Sequence, residues 1–133
     1  MGNLETVQQI YAAFGRGDVP VILEHLDESV EWEYGVNSTD VPWLQPRRGR
    51  DGAAQFFASL GEIDIHRFEV KGFLAGEGGL VVGLFDIEFT VKATGKRVVE
   101  EDEVHLWYFN AAGKAVRFRH RADTHQQQMA WSG

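Results

Sequence analysis

From His66 onward the chain alternates apolar and polar residues in four runs, His66–Leu74, Leu80–Thr90, Val98–Tyr108 and Val116–Thr124. A period of two is the mark of strands with one buried face. The breaks between them, Gly76-Glu77-Gly78-Gly79, Thr94-Gly95 and Asn110-Ala111-Ala112-Gly113-Lys114, are built from turn-forming residues and are too short for a crossover helix. The C-terminal half is therefore expected to be an antiparallel meander, and its apolar face needs a cover.

The N-terminal half supplies that cover. Leu4, Val7, Ile10 or Tyr11, and Phe14 share one face of a helix capped at Asn3 and ended by Gly15 and Gly17. Asp18 caps a second, shorter helix with Pro20 in its first turn and Ile22, Leu23 and Leu26 turned inward. Val30-Glu31-Trp32-Glu33-Tyr34 reads as a strand with Val30, Trp32 and Tyr34 on one face. Asp51 caps a third helix carrying Ala54, Phe56, Phe57 and Leu60. Between them, Gly35 to Gly49 has no periodicity and contains Pro42 and Pro46, so a long loop is expected, of the kind that often covers a site. The order predicts one α+β domain over residues 1–133, three helices packed in a curved, mostly antiparallel sheet with a pocket at one end.

Composition narrows the function. The net charge of −7 disfavours binding to phosphate backbones, and Arg47, Arg48 and Arg50 read as a solvated loop cluster. Without cysteine there is no disulfide, thiolate metal site or Cys nucleophile. No apolar run reaches the roughly 18 residues of a membrane span, and the first residues show helical patterning without a basic-then-apolar leader, so a cytoplasmic protein is expected. Five histidines occur, but none in HxH or HExxH spacing, and no metal site is expected. No Walker-type or dinucleotide glycine motif and no GxSxG is present, so no cofactor is expected either.

Several segments together resemble the NTF2-like superfamily, in particular SnoaL-like, ketosteroid-isomerase-related proteins. They are Val7-Gln8-Gln9-Ile10-Tyr11-Ala12-Ala13-Phe14 with Gly17-Asp18, Val30-Glu31-Trp32, Asp40-Val41-Pro42-Trp43, Arg48-Gly49-Arg50-Asp51-Gly52 with Phe56-Phe57, Gly113-Lys114, and Asp123-Thr124. The resemblance implies a cone-shaped fold with a deep hydrophobic pocket for a small molecule, and often a homodimer. Steroid isomerases use a tyrosine and two aspartates at positions that fall here on Ile10, Tyr34 and His105. All three differ, so isomerisation by that set of groups is not expected. The polyketide-cyclase branch is closer, with a histidine on the long strand and an acid near the end of the last, here His105 and Asp123.

The expected catalytic pair is therefore His105 and Asp123, an imidazole able to act near neutrality and a carboxylate base. Tyr34, Trp43, Trp32, Phe14, Phe57, Trp107, Phe118 and His120 are the expected ligand-binding residues. Arg117, Arg119 and Arg121 are expected to pair across strands with Glu100, Asp102 or Glu103, the acidic run being an exposed strand start. Two functional readings remain open: a cofactor-independent isomerase-, cyclase- or lyase-type enzyme acting on a small hydrophobic carbonyl or cyclic compound, or a ligand-binding or dimerisation module with no chemistry.

Overall fold

The computed structural model describes residues 2–33 and 39–133. Helix α1 (Asn3–Gly15) and the short α2 (Val19–Glu24) precede β1 (Leu26–Trp32). A 3-10 turn (Pro42–Leu44), the two-residue β2 (Arg47–Arg48) and α3 (Gly49–Ser59) follow. The meander is β3 (Ile63–Ala75), β4 (Leu80–Val91), β5 (Arg97–Phe109) and β6 (Ala115–Arg121), and α4 (Thr124–Ser132) closes the chain. The six strands form one curved sheet in the order β2-β1-β6-β5-β4-β3. β1 runs parallel to β6, with Trp32 opposite Phe118, and every other pairing is antiparallel.

The α+β class and the meander agree with the sequence reading, with differences at the ends of elements. Gly2, not Asn3, precedes α1, and no side chain caps it. Asp51 lies inside the first turn of α3 rather than at its cap, where its negative charge still meets the positive end of the helix dipole. The last strand stops at Arg121, and residues expected to extend it begin α4 instead. Asp123 caps that helix: its carboxylate accepts the Gln126 backbone N–H at 3.0 Å, and the Gln126 side-chain amide reaches back to it at 3.3 Å. Arg117 pairs with Glu31 of the neighbouring β1, at 3.0 Å.

The concave face of the sheet and α1 and α3 enclose one core that includes Val7, Ile10, Trp32, Phe56, Phe85, Trp107 and Phe118. Burial of this aromatic and aliphatic surface is the main stabilising term. One irregularity shapes the site. Between the pairs Phe85–Glu103 and Ile87–Glu100, β5 holds one residue more than β4, a β-bulge. Asp102 adopts the left-handed conformation there, φ 60°. Regular alternation would put residues 100 and 103 on opposite faces; the extra residue turns both inward, and both are buried. Asp86 secures the bulge by accepting the Asp102 N–H at 3.0 Å, with Lys71 bridging Asp86 and Asp102 on the outer side.

Candidate active site

The concave face surrounds a cavity of about 80 Å³. Its wall is almost entirely aromatic and aliphatic, from Phe14, Trp32, Trp43, Phe56, Phe57, Phe68, Phe89, Trp107 and Phe118 among others. The polar residues on it are Tyr11, Glu103, His105, His120 and Gln127; no lysine or arginine among the described residues lines it. Phe14, Phe57, Leu60, Ile65 and Phe68 are partly exposed and form the rim.

The polar residues form a chain whose direction follows from which atoms can only donate. The indole N–H of Trp107 is donor only, so Tyr11 Oη accepts it at 3.0 Å. The tyrosine proton then points to His105 Nδ1, 2.5 Å away. An ionised Glu103 can only accept, so His105 Nε2 donates to its Oε2 at 2.6 Å and leaves Nδ1 to accept from Tyr11. From the other end, the Trp43 indole N–H donates to Gln127 Oε1 at 2.7 Å, and Gln127 Nε2 donates to Glu100 Oε1 at 2.5 Å. Glu100 and Glu103 are buried close together, and two like charges in such a place favour a proton on one of them.

Burial sets the protonation of each member. Glu100 is pushed up to about 7, first by burial and then by the charge of Glu103. Burial also raises Glu103, against the opposing influence of His120 and Glu100. His105 lies well below the usual histidine range because burial disfavours its cation, as does nearby His120. Burial drives Tyr11 well above its ordinary value, partly opposed by the Trp107 hydrogen bond. At neutral pH His105 is thus a neutral imidazole with both nitrogens bonded.

His120 behaves differently. Burial alone would lower it, but Glu33, with Glu103 and Glu100, outweighs burial and raises it. Its Nδ1 bonds to Glu33 Oε1, which also accepts the His120 backbone N–H at 2.7 Å. This leaves Nε2 as the nitrogen that can face a ligand. Glu33 reaches His120 because β1 ends at Trp32 and Glu33 turns into the left-handed region, φ 52°, an uncommon conformation for a residue other than glycine. The two imidazoles sit 4.6 Å apart, nearly perpendicular.

The expected pair of His105 and Asp123 is not assembled. His105 is 3% exposed on the cavity wall, whereas Asp123 is exposed and occupied in capping α4. The physical reason is that β6 ends two residues before Asp123 and the chain turns into a helix. Trp43 is buried, tied to Gln127 and set edge-on to Phe89 and Trp131. Trp32, Trp107, Phe118, Phe14, Phe57 and His120 all line the cavity. Tyr34 lies outside the described residues. The helix tyrosine is a residue that periodicity does not single out: Ile10 faces the core, and the next residue, Tyr11, supplies the hydroxyl. Glu33, Glu100, Glu103 and Gln127 also join the site without having been expected there; of these Glu103 shares the strand face of His105 by alternation, and Gln127 is signalled by the capping pair that opens α4.

One potential ligand atom from each of Glu103, His105 and His120 lies within 4.8 Å of the others, a grouping that no short motif reveals because it spans two strands. A metal there would have to displace a hydrogen bond of His105, since both of its ring nitrogens are already bonded. No described helix is long and apolar enough to cross a membrane.

The sequence profile of the SnoaL-like domain matches residues 7–118. The chain belongs to the SnoaL-like family. No curated protein matches it. Among solved structures, this SnoaL-like protein is similar to an NTF2-like protein from Burkholderia thailandensis, at 26% identity over 98% of each chain with a TM-score of 0.83. An NTF2-like protein of unknown function from Burkholderia pseudomallei is similar at 25% identity over 98% of each chain, TM-score 0.82. TerC, co-crystallised with polyporic acid, shares the fold at 24% identity over 98% of each chain, TM-score 0.78.

Proposed function

We propose that this SnoaL-like protein is a cofactor-independent enzyme that moves a proton on a small hydrophobic carbonyl or cyclic compound, with His120 as its base. The observation that carries this reading is the opposite treatment of two neighbouring imidazoles. His105 is held neutral with both nitrogens bonded, while His120 is raised and keeps one nitrogen for a ligand. Groups whose affinities for protons are pushed apart in one cavity mark acid–base assignments. In its neutral form His120 accepts a substrate proton at Nε2, and the Glu33 carboxylate stabilises the imidazolium that results. His105, Tyr11 and Glu103 make a fixed polar wall opposite it, in place of the expected role for Asp123.

The test works before any natural substrate is identified. The protein is incubated in D2O with simple cyclic and aryl ketones, and loss of the α-proton signals is followed by NMR. Exchange faster than in buffer is expected, falling roughly 10²–10⁴-fold in His120→Ala. Glu33→Gln should fall in the same direction and move the pH profile to lower pH. If wild type exchanges no faster than buffer, or His120→Ala matches wild type, the catalytic reading fails and the binding-module reading takes its place.

A further inference from the structure

Glu103 and His105 stand two apart on β5, and His120 lies directly opposite His105 on β6. Residues two apart project from one face of a strand, and the residue opposite on an antiparallel neighbour projects beside them. The three side chains therefore converge as a triangle on the cavity wall, with one donor atom of each within 4.8 Å of the others. The imidazoles are also held as metal-binding imidazoles are. A ligating histidine almost always engages its second ring nitrogen with a carboxylate or another outer partner, which fixes the ring. Here His120 Nδ1 is engaged by Glu33 and His105 Nδ1 by Tyr11, so Nε2 is the donor that each ring has for an ion. Glu103-Val104-His105 has the spacing of HxH with a carboxylate in place of the first imidazole, and the third member comes from across the ladder, so a search for paired histidines passes over it.

We infer that Glu103, His105 and His120 form a binding site for a single zinc ion, held by one carboxylate oxygen and two Nε2 atoms with its fourth position open to the cavity. Two imidazoles and a carboxylate around an open position are a donor set that tetrahedral zinc takes, whereas magnesium and calcium seek about six or more oxygens and find one carboxylate here. The charge fits as well. No lysine or arginine among the described residues lines the cavity, and Glu33 and Glu100 lie buried against His120 and Glu103. One contact has to give, the hydrogen bond of His105 Nε2 to Glu103 at 2.6 Å. Donors on a tetrahedral zinc stand roughly 3.3 Å apart, so Glu103 must draw back by less than about 1 Å. His105 stays neutral by carrying its proton on Nδ1 instead, donating to Tyr11 Oη. That hydroxyl oxygen can accept this bond beside the one from Trp107, and its own hydrogen is then released from His105. The ion occupies His120 Nε2, the atom on which the proposed proton transfer depends. Zinc is therefore an inhibitor of that chemistry and not its cofactor; the inhibition rests on the proposed function, and the binding does not.

Protein freed of metal with a chelator is titrated with Zn2+ by calorimetry and with Co2+ by visible absorption. One zinc ion per chain is expected, with the intense visible band of four-coordinate cobalt and no saturable binding of Mg2+. Glu33→Gln, which removes an outer partner and no ligand, should weaken zinc by about 10–100-fold, and His120→Ala should weaken it further. X-ray absorption at the zinc edge, on wild type alone, should show two imidazole nitrogens at about 2.0–2.1 Å with oxygen completing the shell. That readout stands if either variant fails to fold. Less than one zinc per chain, fewer than two imidazoles at the ion, Mg2+ bound as tightly as Zn2+, or zinc bound as tightly by folded His120→Ala would each overturn the inference. Zinc binding by a protein that shows no α-proton exchange when metal-free would sink the catalytic reading alone. Exchange by a protein that takes up no zinc would sink this inference alone.

Discussion

Replacing Glu100 by Gln should change how stability depends on pH, because the fold holds this carboxyl in its protonated form. Its pKa rises from 4.5 to about 7 on folding. A group raised in this way contributes stability that is fully present below pH 4.5 and lost as pH climbs through about 7. That rise corresponds to ~3.4 kcal/mol, at 1.36 kcal/mol for each tenfold change in proton affinity. Glu100 sits at the edge of the core beneath α4, where solvent screens part of this, and about 2 kcal/mol is the expected size. Glutamine cannot ionise, so the variant escapes that loss. It starts at a disadvantage, however, because its amide nitrogen cannot accept the Asp123 N–H that Glu100 Oε2 takes at 3.1 Å, a deficit of about 1 kcal/mol. Urea unfolding at pH 5, 6, 7 and 8 should therefore show the variant less stable than wild type at pH 5 and overtaking it by pH 8. Glu100 also helps raise His120, and losing that contribution moves the difference in the same direction. Equal m-values would show that both proteins expose the same surface on unfolding. If the difference between variant and wild type stayed constant within about 0.5 kcal/mol across that range, the buried protonated acid would be refuted.

The capping role of Asp123 and the bulge yield two more tests. Asp123→Asn should leave stability within a few tenths of a kcal/mol of wild type, since Asn caps as well as Asp, while Asp123→Ala should cost about 1 kcal/mol in urea unfolding. Neither should slow ketone α-proton exchange, and a large loss in Asp123→Asn would restore the carboxylate as a base. Asp86→Ala removes the acceptor for the Asp102 N–H at the bulge, with an expected cost of about 1–2 kcal/mol. It should also disturb the pairing of Glu100 with Glu103, read as a shift in the His105 and His120 imidazole resonances. Unchanged resonances alongside the stability loss would separate the bulge from the site.

The parts of this protein legible in its sequence are those governed by local periodicity. β4 and β5 keep one buried face along most of their length, so alternation locates them and places His105, Trp107 and Phe109 on the concave side. The helices α1 to α3 carry apolar residues at helical spacing and are equally visible, though α1 shows why a face is easier to find than a residue. Ile10 and Tyr11 both fit its stripe, and only the packing of α1 on the sheet decides that Ile10 fills the core while Tyr11 reaches His105.

Two of the site's carboxyl groups, Glu33 and Glu100, are hidden because each depends on a break in periodicity, whereas Glu103 shares the face of His105 by alternation. Glu33 and Asp102 adopt left-handed conformations, and neither position carries the glycine that would announce one. With perfect alternation Glu33 would point away from Trp32's face, and Glu100 and Glu103 would lie on opposite sides of β5. Two irregular residues, one at the end of β1 and one within β5, bring Glu33 and Glu100 to the side where Glu103 already faces the histidines of the cavity. Helix α4 is concealed for another reason. Gln127 and Ala130 are its buried residues, too few to make a stripe, so the pattern of the preceding strand runs on into it. Asp123 followed three residues later by Gln126 is the sign present in the sequence, a capping pair that argues for a helix start and against a free carboxylate. Read that way, the sequence alone removes Asp123 from the site and leaves His105 without its expected partner. The structure gives that partner's place to Glu103, and in the reading proposed above the acid–base role passes to His120.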